Sequence, residues 1–163
     1  MTPQSKKGVI RVGVISDTHG LLRPEALAAL KGVTHIVHAG DIGSPDVLSA
    51  LGRIAPVTAV RGNNDREAWA NRIALTEVLE VANRRLYVLH DIADLDLDPA
   101  AAGFAVVVTG HSHKPTTATQ DGVLFVNPGS AGPRRFKLPV TLGMLEVSRD
   151  GIHAEIHELI RFG

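Results

Sequence analysis

Cysteine is absent from this sequence of 163 residues. Its absence excludes disulfide frameworks, thiolate zinc sites and cysteine nucleophiles, and it is compatible with the reducing cytosol. Any bound metal must therefore take nitrogen and oxygen ligands. Net charge is also absent, because 17 lysines and arginines balance 17 aspartates and glutamates. Such a chain lacks the long-range positive field that non-specific nucleic-acid binding requires, so we expect no strong nucleic-acid interaction through charge alone.

Long apolar runs are missing as well. The apolar segment 8–15 is short and Arg11 interrupts it, so it forms neither a signal-peptide core nor a membrane span. We therefore expect a cytoplasmic protein with no membrane partner. The hydrophobic content of 44% and charged content of 21% are typical of a compact domain that folds without a structural metal. We predict a disordered tail over residues 1–8 and a single domain over residues 9–163.

Apolar runs rich in β-branched residues alternate with short helix signals along the chain. The predicted strands cover residues 9–16, 35–39, 56–60, 86–89, 104–108, 123–126, 140–147 and 152–157. Short helices are expected to begin near Pro24, Ser44, Asp65 and Asp98. The dipeptide Asp150-Gly151 predicts an antiparallel hairpin between the last two strands. The pattern indicates an α/β fold without repeats or linkers.

Seven side chains with metal-binding groups follow directly after these strands: Asp17, His19, Asp41, Asn63, His90, His111 and His113. Loops at the carboxyl ends of parallel strands gather along one edge of a sheet, so we expect one shared site. Carboxylate, carboxamide and imidazole donors together suit Mn, Fe, Zn, Co or Ni better than Ca or Mg. Seven donors exceed the needs of one tetrahedral ion. They match two ions roughly 3.5 to 4 Å apart with a bridging carboxylate, a centre that hydrolyses phosphoesters.

The order of these motifs resembles the calcineurin-type metallophosphoesterase superfamily over nearly the whole chain. The motifs are Asp17-x-His19, Gly40-Asp41, Gly62-Asn63-x-Asp65, His90 and Gly110-His111-x-His113. The short length and the later segment 127–130, Asn-Pro-Gly-Ser, are similar to the small bacterial and archaeal phosphodiesterases of that superfamily. The resemblance implies an α/β fold in which two mixed β-sheets pack as a sandwich flanked by helices, in four αββα layers.

The resemblance also implies how the ligands divide. The first metal would be held by Asp17, His19 and His113, and the second by Asn63, His90 and His111. Asp41 would bridge the two ions. Both ions are expected to be divalent, with Mn the first choice and Fe, Zn, Ni or Co the alternatives. A bridging hydroxide would then act as the nucleophile on a small phosphoester substrate.

Two positions depart from the superfamily pattern. Asn64 stands where many members have histidine and small phosphodiesterases often have cysteine. We predict that Asn64 binds substrate and takes part in catalysis, together with Asp65. An amide cannot supply a proton, so leaving groups that depart as stable anions should be favoured.

Asp91 replaces a common glycine after His90, and the short acidic connection that follows contains Asp94, Asp96 and Asp98. We expect a trimmed helix there, with acids that either act on the second metal and its substrates or form a solvated loop.

Three arginines could steer an anionic substrate. Arg134 is the predicted substrate-binding residue, and it follows the segment 127–130 together with Arg135. A surface-charge role fits Arg134, Arg135 and Arg61 at least as well.

Four histidines lie outside the predicted ligand set. We expect His35 and His38 to be hydrogen-bonded core or supporting residues, because they lie in or beside the second strand. His153 and His157 share one face of the final strand and are expected at a solvated or subunit-facing surface, which leaves a homo-oligomer open.

Three functions follow from these residues. The leading one is a metal-dependent phosphodiesterase, and a phosphomonoesterase is the nearest alternative because the same metal pair can serve either bond. The third is a non-catalytic scaffold similar to the retromer subunit of the same fold. The seven donors argue against the scaffold, because a pure binding surface has no physical need for them.

Overall fold

The structure is a computed structural model that describes residues 8–162. The disordered tail predicted for residues 1–8 therefore lies, except for Gly8, outside the described residues. Residues 8–162 form ten strands, two α-helices and two short 3₁₀ helices. The strands are β1 (Ile10–Ile15), β2 (His35–His38), β3 (Val57–Ala59), β4 (Thr76–Val81), β5 (Arg84–Leu89), β6 (Val106–Val108), β7 (Thr116–Gln120), β8 (Val123–Asn127), β9 (Val140–Val147) and β10 (Ile152–Ile160). The helices are α1 (Pro24–Ala29) and α2 (Pro45–Gly52), and the 3₁₀ helices are Ala68–Arg72 and Ile92–Asp94.

The strands form two mixed sheets of five strands each. The first sheet has the order β10-β9-β1-β2-β3, and its parallel part is β1, β2 and β3. The second has the order β4-β5-β6-β8-β7, and its parallel part is β5, β6 and β8. The predicted hairpin is confirmed, because β9 and β10 pair antiparallel with Val147 opposite Ile152. The predicted α/β fold of two mixed sheets is therefore confirmed.

A valine-rich core joins the two sheets face to face. Its buried residues alternate along the strands, as the period of a β-strand requires. The first sheet contributes Val12, Val14, Val37, Leu145 and Val147, and the second contributes Leu79, Leu86, Val88, Val106, Val108 and Val126.

The outer faces of the two sheets are covered differently. On the first sheet, Ala26 of α1, Leu30 directly after it, and Val47 and Leu51 of α2 form a second apolar cluster with strand residues. On the second sheet, the connection between β5 and β6 forms the cover, and its Leu95 and Leu97 pack against a cluster that includes Tyr87, Phe104 and Val107. This connection contains only the 3₁₀ helix Ile92–Asp94. The expected trimming of the family's helix stays a prediction.

Three local predictions were wrong or incomplete. The helix expected after Asp98 is only a turn, in which the Asp98 carboxylate accepts hydrogen bonds from the next backbone groups and Gly103 follows at φ 83°. Asp65 does not cap a helix, because the 3₁₀ helix begins at Ala68 with Glu67 before it. The edge strands β4 and β7 were not predicted, since β7 is exposed throughout and Leu79 is the one buried residue of β4.

The sequence also predicted no membrane span. Among residues 8–162, no helix is both long enough and apolar enough to cross a membrane.

Candidate metal centre

The loops after β1 and β2 are joined by backbone hydrogen bonds at the site. The amide of Asp17 donates to the carbonyl of Gly40 at 3.0 Å, and that of His19 donates to the carbonyl of Asp41 at 2.9 Å. These bonds continue the pairing of the two parallel strands past their ends. As a result, the predicted ligands on the two loops lie side by side.

Five of the seven predicted ligands have a left-handed backbone conformation. Their φ angles lie between 46° and 70°, and the residues are Asp17, His19, Asp41, His111 and His113. This conformation costs a non-glycine residue on the order of 1 kcal/mol or more, and it persists where the surrounding structure enforces it, commonly at functional sites. The strain is therefore concentrated at the predicted metal ligands.

The two carboxylates form the centre of a cluster of imidazoles. Oδ1 of Asp17 lies 3.4 Å from Nε2 of His113 and 3.9 Å from Nε2 of both His19 and His90. Oδ2 of Asp41 lies 3.4 Å from Nε2 of His90 and 3.8 Å from Nε2 of His19. Asp17 thus faces two imidazoles of the first predicted set and one of the second, and Asp41 faces one of each.

Two overlapping groups in this cluster have the geometry to hold a cation. Asp17, His19 and His113 form one, and Asp17, Asp41 and His90 form the other, with the ligand atoms in each group within 4.8 Å of one another. The first group reproduces the set predicted for the first metal. In the second group, two carboxylates accompany one histidine of the second set.

Four buried polar atoms at this site have no hydrogen-bond partner among the described residues. They are Oδ1 of Asp17, Nε2 of His19, Nε2 of His90 and Nδ1 of His113. An unsatisfied buried polar atom costs about 1–3 kcal/mol, so such atoms are rare without a ligand that satisfies them. A divalent cation with nitrogen and oxygen preference fits this donor set.

The remaining two ligands of the second set lie on the open side of the cluster. Nδ1 of His111 and Oδ1 of Asn63 face each other at 3.2 Å, and the ring of His111 lies 5.1 Å from the ring of His90. The opposite nitrogen of His111, Nε2, lies 3.6 Å from Oδ2 of Asp91. This contact was not predicted, because it depends on the replacement of a small residue by Asp91 and on the side-chain direction of His111.

Neighbouring groups orient the ligands. Nδ1 of His90 lies 2.7 Å from the carbonyl of Ala39, which only accepts, so Nδ1 carries the proton and Nε2 is free for a cation. The Asp17 carboxylate accepts hydrogen bonds from Oγ of Ser16 at 2.7 Å and from the amide of His111 at 3.1 Å. Both amide groups of Asn64, backbone and side chain, donate to Asp41 at 2.9 Å.

The same contacts keep the two carboxylates ionised. Burial raises the pKa of Asp17, but the nearby His113 imidazole and the hydrogen bond from Ser16 outweigh it and leave the pKa below its usual value. Burial also raises the pKa of Asp41, but the nearby His90 imidazole and the hydrogen bonds from Asn64 bring it well below the usual range. Burial lowers the pKa of His90, whereas its contacts with Asp41 raise it, and the net direction is upward.

Close packing of the loops requires glycine at two positions. A Cβ atom on Gly62 would lie 2.1 Å from Oδ1 of Asp41, and one on Gly110 would lie 2.0 Å from Oγ of Ser16. Both distances are too short for any side chain. The glycines in the Gly-Asn and Gly-His motifs therefore let the loops approach the carboxylates.

Two residues beneath the centre connect its loops. The Asp65 carboxylate accepts hydrogen bonds from the amides of Ile42, Gly43 and Gly62 at 2.9–3.1 Å. Both of its oxygens are therefore engaged by backbone, and its predicted catalytic role stays a prediction.

The second residue beneath the centre, His38, is fully buried. Its Nδ1 accepts from the amide of Gly40, so the proton is on Nε2, which donates to Thr18. Burial lowers the pKa of His38 to about 4. The predicted core position of His38 is confirmed, whereas His35 is half-buried at the start of β2.

The segment 127–130 supports the loop that carries His111 and His113. The side-chain amide of Asn127 donates to the carbonyl of Gly110 at 2.9 Å and to Oγ of Ser112 at 3.0 Å. Oγ of Ser130 donates to the carbonyl of Asp17 at 3.0 Å. The segment thus joins the loops after β1 and β6.

Two larger cavities lie beside the cluster, and a smaller one of about 190 Å³ is lined by His111 and Ser112. The first, which we call the acidic cavity, has a volume of about 430 Å³ and is lined by Arg61, Gly62, Asn63, Leu75, Thr76, Tyr87, Leu89, His90, Asp91, Asp94 and Asp96. The second, the basic cavity, has a volume of about 540 Å³ and is lined by Ser112, Lys114, Arg135, Phe136, Lys137 and Leu138. Lys114, Phe136 and Lys137 were not singled out in the sequence, because no motif marks them.

Arg134 and the histidines of β10 lie outside both cavities. The Arg134 guanidinium stacks on Phe162 at 3.7 Å and donates to the carbonyls of Leu138 and Lys137. Its predicted contact with substrate stays a prediction. His153 and His157 flank the exposed Glu155 on the surface of β10, where the sequence placed them.

Comparison with known proteins agrees with this geometry. The model of the calcineurin-like phosphoesterase superfamily domain matches residues 10–150. A probable metallophosphoesterase of Methanothermobacter thermautotrophicus is 33% identical over 157 residues, which cover 89% of this chain and 90% of that protein. A phosphodiesterase of Methanocaldococcus jannaschii is 26% identical over 159 residues, covering 86% and 95%.

A solved structure gives the same fold. Vacuolar protein sorting 29 from Cryptosporidium parvum superimposes with a TM-score of 0.74 at 19% identity, over 94% of this chain and 100% of that one. At this identity the likeness concerns the fold alone.

Proposed function

The chain belongs to the calcineurin-like phosphoesterase superfamily, and on that premise we propose that it hydrolyses phosphodiesters with two divalent cations bound at the predicted ligands. The observation that carries this proposal is the set of buried, unpartnered donor atoms on Asp17, His19, His90 and His113. The name of the Methanocaldococcus relative, a phosphodiesterase, supports the same bond type.

The proposed division of ligands follows the contacts. Asp17, His19 and His113 would hold the first cation, Asn63, His90 and His111 the second, and Asp41 both. The bridging role of Asp41 follows the family resemblance, and its Oδ2 faces an imidazole of each set, as Oδ1 of Asp17 also does. Mn is the proposed metal, with Fe, Zn, Ni or Co as alternatives that the same donors accept. When bound, such a pair lowers the pKa of water from 15.7 to roughly 7 and polarises phosphoryl oxygens.

The chain's own groups prepare the site for that chemistry. The Ala39 carbonyl fixes the tautomer of His90, and the two donors of Asn64 hold the Asp41 carboxylate in a single orientation. These groups are in place before substrate arrives, so little reorganisation is needed during the reaction. Because Asn64 cannot supply a proton, the leaving group must depart as an anion or take its proton from water.

A diester preference is supported by the cavities on either side of the cluster. A phosphodiester carries two substituents, and the cluster has one cavity beside Asn63 and His90 and another beside Ser112 and Lys114. A monoester would fill only one of them. We also propose a cytoplasmic location, which the absence of cysteine suits.

Metal removal and restoration test the proposal. The purified chain is stripped with chelator, reloaded with Mn, and assayed with bis-p-nitrophenyl phosphate against p-nitrophenyl phosphate, while bound metal is counted by mass spectrometry. We expect activity to depend on added metal, to prefer the diester, and to reach its maximum at two ions per chain. A preference for the monoester would favour a phosphomonoesterase.

A scaffold function is the alternative expected from the sequence, and vacuolar protein sorting 29 shares the fold. The same experiment decides between the two. A chain that binds metal but hydrolyses neither ester with any of the five metals would be a scaffold, and our proposal would be wrong.

A further inference from the structure

A tight turn at the edge of the basic cavity presents an exposed aromatic ring. The amide of Leu138 donates to the carbonyl of Arg135 at 3.1 Å, which closes a turn with Phe136 as its first central residue. Phe136 has φ 53° and is 88% exposed. Turns with positive φ at this position are dominated by Gly, Asn and Asp, so a phenylalanine there adds backbone strain to the cost of an exposed apolar ring. The stability of the fold therefore does not explain a phenylalanine at position 136.

Arg134 stabilises this turn. Its Nε donates to the carbonyl of Leu138 at 3.2 Å, and its guanidinium stacks on the ring of Phe162. The turn that contains Phe136 is thus fixed by Arg134. A fixed ring loses little conformational freedom when a flat ligand stacks on it.

Three cations surround the ring without carboxylate partners. The ion pairs among residues 8–162 all involve histidine, so Lys114, Arg135 and Lys137 have none within that part of the chain. In a chain with no net charge, three unpaired cations around one cavity form a local positive field. Lys114 directly follows His113, so this field lies beside the first predicted metal set.

We propose that the basic cavity binds the arm of the substrate that carries a nucleobase and a further phosphate, so that the phosphodiester is a dinucleotide or short oligonucleotide. This inference rests on the proposed function. The base would stack on Phe136, and the additional phosphate would meet Lys114, Arg135 and Lys137.

The combination of groups selects this chemistry over simpler ligands. A purely anionic ligand would need the cations but not an exposed ring, and an apolar ligand would need the ring but not three cations. A nucleotide has both a flat ring and phosphate charge. The site is also small and local, which agrees with a chain that has no field for long nucleic acids.

Binding to the full-length, chelator-treated chain separates the two contributions. The probes for calorimetry are the dinucleotide pApA, inorganic pyrophosphate, which has charge but no ring, and adenosine, which has a ring but no charge. We expect Phe136→Ala to weaken pApA about tenfold, and Phe136→Tyr to stay within about twofold of wild type, because stacking is retained. Neither variant should change pyrophosphate binding.

The charge contribution is tested with a second variant and a matched control. The double variant Arg135→Ala/Lys137→Ala should weaken pApA and pyrophosphate about tenfold at low salt and less at high salt, and leave adenosine unchanged. Arg149→Ala removes a charge from the hairpin between β9 and β10, and it should bind all three probes as wild type does. In the Mn-loaded enzyme, the variants should raise KM for pApA without changing kcat.

The outcomes distinguish this inference from the proposed function. Wild-type binding of pApA by Phe136→Ala and by the double variant would overturn the nucleotide site, even if the Mn-loaded chain hydrolyses bis-p-nitrophenyl phosphate. Binding of pApA that depends on Phe136, in a chain that hydrolyses no phosphoester, would keep the site and overturn the phosphodiesterase.

Discussion

The two cavities beside the candidate metal centre differ in charge. The acidic cavity is lined by Asp91, Asp94 and Asp96 together with apolar residues that include Leu75 and Leu89. The basic cavity presents three unpaired cations around an exposed ring. A net charge of zero for the whole chain hides this difference. Since the acidic cavity is lined by Asn63 and His90 and the basic cavity by Ser112 and Lys114, the two can orient a diester whose two arms differ in charge.

The two ligand sets also differ in burial. In the first set, Asp17 and His113 are buried and hold two of the unpartnered atoms. In the second set, the side chain of His111 is 45% exposed and touches Asp91. The first set therefore offers a preformed cage, whereas the second depends more on its neighbours. We expect the first cation to bind more tightly than the second.

The largest expected effect comes from a substitution of Asp41, which both proposed metal sites share. Asp41→Asn keeps the size of the side chain but removes the charge that faces an imidazole of each set. A metal pair contributes several kcal/mol to stabilising the transition state, so we expect kcat/KM for bis-p-nitrophenyl phosphate to fall on the order of 10³-fold. Metal analysis should show weaker binding of both ions. Loss of only one ion would contradict the bridging role, and Asp121→Asn is the control.

A second prediction concerns the pH dependence of stability caused by His38, which is buried beneath the candidate metal centre. The pKa of His38 in the folded chain is about 4, below its ordinary value of 6.5, because of burial. Below pH 6.5 the unfolded chain binds a proton that the folded chain does not, so stability should fall as the pH drops toward 4. The loss approaches about 3 kcal/mol. Nearby Asp17, Asp41 and Asp65 partly oppose this shift, and His90 adds to it.

Urea unfolding of wild type and His38→Gln between pH 7 and 4 measures this loss. Chelator in the buffer removes any contribution from metal release. Gln carries no titratable group, so the gap in unfolding free energy between the two proteins should narrow by about 3 kcal/mol as the pH falls. If the unfolding free energies of the two proteins changed in parallel with pH, the pKa of His38 would not be lowered in the folded chain.

The convergence of the predicted ligands was largely predictable from sequence, because these residues follow strands whose pattern is clear. Asp17, Asp41 and His90 each come directly after a buried run, and the parallel pairing of strands brings their loops together. Core strands such as β1 and β6 carry enough β-branched residues to be recognised. The exposed strand β7 contains no buried residue, so its sequence has no pattern to recognise.

The cavities were not predictable in the same way. Their chemistry depends on side chains from segments that the chain order does not connect, such as Lys114 after β6 and Phe136 before β9. The contact between Asp91 and His111 likewise depends on the direction of an imidazole that the sequence does not specify. Local pattern predicts where a loop begins, whereas tertiary packing decides which loops meet.

A third prediction sharpens the difference between the two ligand sets. Oδ2 of Asp91 lies 3.6 Å from Nε2 of His111, which is an electrostatic contact and not a hydrogen bond. Loss of a hydrogen-bonded partner of a ligating histidine typically lowers metal affinity about 10–100-fold, so we expect Asp91→Ala to lower affinity at the proposed second site by less, roughly two- to tenfold. The first site should keep its affinity. Competition with a chelating dye resolves the two affinities.

Matched variants give this test its control. Asp94→Asn removes a charge from the same cavity without touching His111, and it should leave both affinities near the wild-type values. Asp91→Glu keeps a carboxylate and should restore part of the lost affinity. Equal losses of metal affinity in Asp91→Ala and Asp94→Asn would mean that the negative charge of the acidic cavity determines the affinity. The contact between Asp91 and His111 would then have no role.

The smallest expected effect tests the charge difference itself. Asp94 and Asp96 are exposed, so their fields are screened by salt, and Asp94→Asn/Asp96→Asn should lower KM for pApA only about two- to fivefold at low salt. The effect should vanish at high salt and leave kcat unchanged. The control Asp121→Asn/Asp150→Asn makes the same change of charge in turns at the far ends of β8 and β9. If the acidic variant and this control behave alike at every salt concentration, the acidic connection is a solvated loop and the basic cavity alone orients the substrate.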